Sequence, residues 1–167
     1  IFFGTSQSYL FDKYKIDEKK CLEMIEEGIK YAKDNGLKVR FTAEDASRTD
    51  RRFLLSVAQV AEKAGADRFS IADTVGILYP EKVSQIVSFF VKNLNIPIHA
   101  HFHNDFGLAT SNALQAIQSG ATCVDVSING LGERCGISSL GEVTMSLNEL
   151  LKVKNEWNFK LLNELEN

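Results

Sequence analysis

All three histidines of the chain fall within five residues, as His99-x-His101-x-His103, with Asn104-Asp105 immediately after. On a strand, side chains alternate faces with a period of two, so the three imidazoles would project together. Two imidazoles at i and i+2 can hold one cation through ring nitrogens at about 2.0–2.2 Å. His101 and His103 are therefore the candidate metal ligands, with Asn104 and Asp105 placed to orient them. The competing role for such histidines is to satisfy buried backbone groups. For His99, deeper along the run, a bracing role competes with acid–base catalysis.

Other polar clusters also follow apolar runs: Arg40 with Thr42-Ala43-Glu44-Asp45, then Asp73-Thr74-Val75-Gly76, then Asn129-Gly130-Leu131-Gly132-Glu133-Arg134-Cys135-Gly136. Arg40 could clamp a carboxylate bidentately, or simply pair with Glu44. Thr42, Glu44 and Thr74 are candidates to bind the same ligand, whereas Asp73 suits the capping of a loop. Glu133 and Arg134 lie in a Gly-rich turn where backbone can come close to a ligand. They suit either catalysis or an ion pair that braces the loop.

Short β-branched or aromatic runs alternate with segments of helical period, and these must position the clusters. Strands are predicted at Ile1–Phe3, Leu37–Phe41, Arg68–Ala72, Ile96–Ala100 and Thr122–Ile128. Helices are predicted at about Asp17–Asn35, Arg51–Lys63, Pro80–Leu94, Gly107–Ser119 and Leu140–Val153. Asp17 and either Thr49 or Asp50 are the N-cap candidates, and Gly36, Gly65 and Gly120 the stops. Alternating strand and helix implies a parallel sheet covered by helices, either open and doubly wound or part of an eight-stranded barrel. No Gly-x-Gly-x-x-Gly turn follows the first strand, which weakens a nucleotide-binding reading. In parallel α/β folds function sits at the C-terminal ends of the strands, where all four clusters fall. Strand parity places Arg40, Thr42, Glu44, Ser70, Ala72, Thr74 and the three histidines on one face. Charge is almost never buried unpartnered, so a metal or an anionic substrate is the implied partner.

The chain has 167 residues, 44% apolar and 25% charged, with a formal net charge of −3. Those are the proportions of an ordinary globular domain, with neither the basic patch of a nucleic-acid binder nor an apolar run long enough for a membrane span. Cys21, Cys123 and Cys135 are odd in number and lack Cys-x-x-Cys spacing, which favours free thiols in a reducing, cytoplasmic setting. Residues 1–153 read as one domain and 154–167 as a C-terminal tail, a short helix or the start of a linker. The opening Ile1-Phe2-Phe3 run looks like an internal cut, because domain ends are usually loose and polar.

Taken together, Val39–Asp45, Ala72–Gly76, His101–Ala109 and Asn129–Gly136 resemble the acyl-CoA condensing synthases of the homocitrate and isopropylmalate synthase family. The resemblance covers about residues 1–150 and implies a partial (β/α)8 TIM barrel, an α/β fold of about strands four to eight. It implies a divalent metal (Mg, Mn or Zn) on His101 and His103, acetyl-CoA and a 2-oxoacid as substrates, and a homo-oligomer. It also implies a place in lysine or leucine biosynthesis. The family's first strand carries an Asp-x-x-Arg-Asp/Glu-type motif, the source of a metal-binding carboxylate and an Arg, that is absent here. The isolated chain is therefore expected to be inactive without the missing N-terminal barrel segment. Arg40, Thr42, Glu44 and the Ile137 position look closest to homocitrate synthases, which hold 2-oxoglutarate, whereas His99 stands where many of them have Glu. The alternatives are an isopropylmalate or citramalate synthase, a hydroxymethylglutaryl-CoA lyase, and an inactive fragment acting as a binding module. Asn104 and Gly132-Glu133-Arg134 argue against the lyase.

Overall fold

Five strands lie parallel and side by side in chain order in the computed structural model, which describes residues 1–166. They are β1 (Phe2–Gly4), β2 (Arg40–Glu44), β3 (Arg68–Asp73), β4 (Ile98–Phe102) and β5 (Cys123–Val124). Between and after them run α1 (Glu18–Asp34), α2 (Arg51–Lys63), α3 (Pro80–Asn93), α4 (Ala109–Gln118) and α5 (Leu140–Glu149). A doubly wound sheet reverses its strand order at a switch point. This one never does, which is the order of consecutive strands in a barrel wall. The fold is a partial (β/α)8 barrel.

Parity divides the sheet as its alternation requires. Phe41, Ala43, Phe69, Ile71, Ile98, Ala100 and Phe102 are buried beneath the helices. They meet Val57 and Ala61 of α2, Val83, Val87 and Phe90 of α3, and Ala113 and Ala116 of α4 in one core. Phe69 and Phe90 are in ring contact at 5.3 Å between centroids. The opposite face is polar. Register pairs Thr42 with Ser70, Ser70 with His99, and His99 with Cys123, with Ala72 beside His101 one layer above.

Helix starts follow the local chemistry. Asp17 accepts the Lys20 N–H, and Asp50 accepts the N–H groups of Arg52 and Phe53 at 2.9 and 3.1 Å. The ends of the first four strands all fall later in the chain than expected. β2 begins at Arg40 rather than Leu37, which is exposed, and β4 runs to Phe102 rather than stopping at Ala100. Thr42, Glu44, Asp73 and His101 therefore belong to the strands themselves, whereas Thr74, Asn104 and Asp105 lie in the loops beyond. β5 is shorter than expected: its ladder ends with Asp125 N–H on the Ala100 carbonyl, and beyond it Ser127 bridges to Ser139. α5 stops at Glu149, four residues early.

A π-helical turn at Ser8–Tyr14 was not anticipated; only its Leu10 is buried, so it shows no helical stripe. The tail carries a short helix, α6 (Leu162–Glu166). Its Glu166 side chain accepts the Gly141 N–H at 3.0 Å, and its carbonyl accepts from the Asn129 amide at 2.9 Å. Among the described residues no helix is long and apolar enough to cross a membrane.

Replacing Asp50 with Ala removes the acceptor for two otherwise orphaned α2 N–H groups. The expected loss is about 1 kcal/mol of stability, seen in urea as a lower midpoint at unchanged slope.

Candidate active site

The C-terminal ends of β2, β3 and β4 and the segment after β5 surround a cavity of about 370 Å³, within the range of small-ligand sites. Its wall includes Arg40, Thr42 and Glu44 from β2, Thr74 beyond β3, His101 and His103 from β4 and its extension, and Glu133 from the Gly-rich turn. His99 and Arg134 do not line it. His99 is buried one layer below, and Arg134 reaches over the loops outside.

The two candidate ligands converge. His101 Nε2 and His103 Nε2 lie 3.2 Å apart, with the ring planes at 70°. Nitrogens bonded to one ion at about 2.0–2.2 Å sit roughly 2.8–3.6 Å apart when the bond angle is about 90–110°. The observed gap falls inside that window. Burial lowers the pKa of His103, and the nearby His101 and Arg134 push it the same way, so its neutral form survives to lower pH than that of an ordinary imidazole. His103 Nδ1 is buried with no hydrogen-bond partner. Among the described residues no group of three or more His, Cys, Asp or Glu side chains gathers into a metal site. By that spacing the pair could supply two ligands to a divalent cation. The Glu133 carboxylate is largely exposed at the mouth, 3.8 Å from His103 Nε2.

Arg40 does not pair with Glu44. Its Nη1 donates to Asp125 Oδ1 at 3.0 Å and lies 3.0 Å from His99 Nε2. Glu44 instead accepts the Tyr9 hydroxyl at 2.9 Å. Burial combined with this hydrogen bond pushes the Tyr9 phenol up to about 12. Asp125 escaped the sequence reading, although it forms the centre of the polar network. Burial alone would raise its pKa, but hydrogen bonds from His101 and His99 and the Arg40 charge hold its carboxyl far below the usual range. The available signal was a single charge within Val124-Asp125-Val126, two residues from Cys123 and so on the same inward face.

The loops around the cavity are cross-tied. Arg134 grips Asp105 with two bonds of 2.7 Å and also donates to the Thr74 carbonyl at 2.8 Å. Its loop-bracing partner is therefore Asp105, not Glu133, and Asp105 orients no histidine. That pairing holds the Asp105 carboxyl below the usual carboxylate range. Gly76 is required here: its φ is +65°, and a Cβ would run into the Asp105 carboxylate. Asn104 also serves a loop, accepting the Ala109 N–H at the start of α4. Asp73 caps its own loop through the N–H groups of Ile77 and Leu78, as its type suggested.

The sequence matches the family description HMGL-like over residues 1–167. The chain belongs to the HMGL-like family. A homocitrate synthase of Saccharolobus islandicus is 50% identical over 148 residues, covering 88% of this chain and 32% of the relative. One of Saccharolobus solfataricus is 49% identical over the same coverage. The chain thus spans about a third of the length of these curated relatives. Among solved structures, the HMG-CoA lyase of Bacillus subtilis superposes with a TM-score of 0.84 at 19% identity, covering 99% of this chain and 59% of that one. At that identity the likeness establishes only the fold, the barrel of the HMGL-like proteins.

Replacing both His101 and His103 with Ala is expected to abolish Mn²⁺ binding by isothermal titration. In the unsubstituted protein, affinity should fall with acidification as protons compete for the ring nitrogens. Because the His103 pKa is depressed, its ring should titrate by NMR at a lower pH than a solvent-exposed histidine.

Proposed function

We propose that this chain forms the C-terminal five-stranded part of the catalytic barrel of an enzyme that condenses acetyl-CoA with a 2-oxoacid, and that the oxoacid is 2-oxoglutarate. The observation that carries the reading is the His101–His103 nitrogen pair at 3.2 Å, facing the same cavity as Arg40, Thr42 and Thr74. The homocitrate synthases that share half of its residues support the choice of reaction.

A divalent cation held by His101 and His103 would supply Lewis-acid polarisation of the oxoacid's keto group. The remaining roles belong to the chain's own side chains. Arg40 and Thr42 bind the distal carboxylate of the oxoacid, whose second negative charge suits a guanidinium. Thr74 Oγ1 already accepts the Asp45 N–H at 2.8 Å, so its own hydrogen is available to a substrate carboxylate. Glu44, tied to Tyr9, closes that side of the cavity. Glu133, largely exposed at the mouth, is the group here best placed to exchange a proton with substrate. His99 acts from below, donating to Asp125, which in turn accepts from Arg40, and Arg134 keeps the loops closed through Asp105. The relatives are about three times as long as this chain, and the proposal puts the remaining metal ligand and the base that deprotonates acetyl-CoA in the rest of the barrel. The 167 residues alone are then inactive.

The test is CoA release from acetyl-CoA by this chain joined to the rest of its barrel, with a panel of 2-oxoacids. 2-Oxoglutarate should be preferred, and Arg40→Ala should raise its KM about tenfold or more, the worth of a charge-assisted hydrogen bond. Preference for 2-oxoisovalerate would assign an isopropylmalate synthase instead. Cleavage of hydroxymethylglutaryl-CoA without condensation would assign a lyase.

A further inference from the structure

Three side chains of the site converge on one carboxylate. Asp125 Oδ2 lies 3.0 Å from His101 Nδ1, while Oδ1 lies 2.9 Å from His99 Nε2 and 3.0 Å from Arg40 Nη1. Asp125 sits at the end of the β5 ladder, its own N–H bonded to the Ala100 carbonyl, so its backbone is held by the strand that carries both histidines.

An ionised carboxylate only accepts hydrogen bonds, so each contact draws a hydrogen from its partner. For His101, a hydrogen drawn to Asp125 would be the one on Nδ1. A neutral imidazole has one ring N–H, so Nε2 keeps a lone pair, and Nε2 is the atom 3.2 Å from His103 Nε2. His103 has no comparable anchor, because its Nδ1 is buried without a partner.

We propose that Asp125 is a positioning residue with two tasks: it sets the His101 tautomer that aims a lone pair at the cation position, and it holds Arg40 against the same cavity. The proposal rests on the metal reading above and adds a residue outside the ligand pair on which both halves of the site depend. The simpler rival is that Asp125 only neutralises Arg40, with the His101 contact incidental. In that case the His101 hydrogen is free to reside on Nε2 and donate to His103. The Nε2–Nε2 distance allows both arrangements, so the tautomer separates them.

The experiment uses the full protein labelled with ¹⁵N-histidine and stripped of metal. A long-range ¹H–¹⁵N spectrum reads the His101 tautomer, with the peak assigned by its loss in His101→Gln. The expected form carries its hydrogen on Nδ1. Asp125→Asn, which can offer an N–H to the ring, should move the hydrogen to Nε2 and weaken Mn²⁺ binding about 10- to 100-fold. Arg40→Ala should leave the tautomer unchanged. A His101 hydrogen found on Nε2 in the unsubstituted protein overturns the proposal without any variant. So does an Asp125→Asn protein whose tautomer is unchanged and whose Mn²⁺ affinity stays within twofold. A correct tautomer in a protein that binds no Mn²⁺ overturns the underlying cation reading instead, and the two failures are distinct because the tautomer is read without metal.

Discussion

Charge on the inner face of a parallel sheet has to be partnered, and that requirement organises this molecule. One face of each strand is used up by helices: Phe41, Phe69, Ile98 and Phe102 leave no room there for anything polar. Arg40, His99, His101 and Asp125 are consequently forced onto the other face, where they find one another. Asp125 is the common acceptor. A carboxylate flanked by three donors stays ionised, and an ionised carboxylate keeps its neighbours' hydrogens pointed at it. The result is a fixed floor beneath a cavity whose upper wall is left to His103, Thr74 and Glu133.

Above that floor, precision comes from loops that are locked rather than long. Arg134 reaches across two of them, with its guanidinium on Asp105 and on the Thr74 carbonyl. The close approach needs Gly76, since any side chain there would displace the Asp105 carboxylate. Arg134 itself adopts a left-handed backbone, as do Asn129 and Asp45 among the residues that shape the strand ends. Asp45 offsets this by taking three bonds from the Arg48 guanidinium and one from the Ser6 hydroxyl. Conformations of that kind cost energy and persist where surrounding bonds over-determine them.

Fold and chemistry are carried by different parts of the chain. The chain superposes on an HMG-CoA lyase with which it shares under a fifth of its residues, because many apolar combinations fill the same core layer. Half of the positions are shared with homocitrate synthases over 148 residues. A barrel hosts many reactions, and in the proposed function the choice of oxoacid is given to two inward residues, Arg40 and Thr42.

From the sequence alone came the alternation of strand and helix, the caps at Asp17 and Asp50, and the division of each strand into an apolar and a polar face. So did the expectation that Arg40, Thr42, Glu44, Thr74, His101 and His103 face one space; His99, expected with them, lies buried below it, and Glu133 joins the wall from the Gly-rich turn. These are local properties: period, cap chemistry and parity act within a few residues. Tertiary structure alone decided the pairings, because partners separated by 29 to 85 residues leave no trace in local pattern. It gave Arg40 to Asp125 instead of Glu44, and Arg134 to Asp105 instead of Glu133. It also placed Thr42, Glu44 and His101 in strands and not loops, since which residues continue a ladder depends on the neighbouring strand's register. Asp125 is the clearest case. In the sequence it is one acid between two valines, and only the packing of β4 beside β5 makes it the partner of two histidines and an arginine.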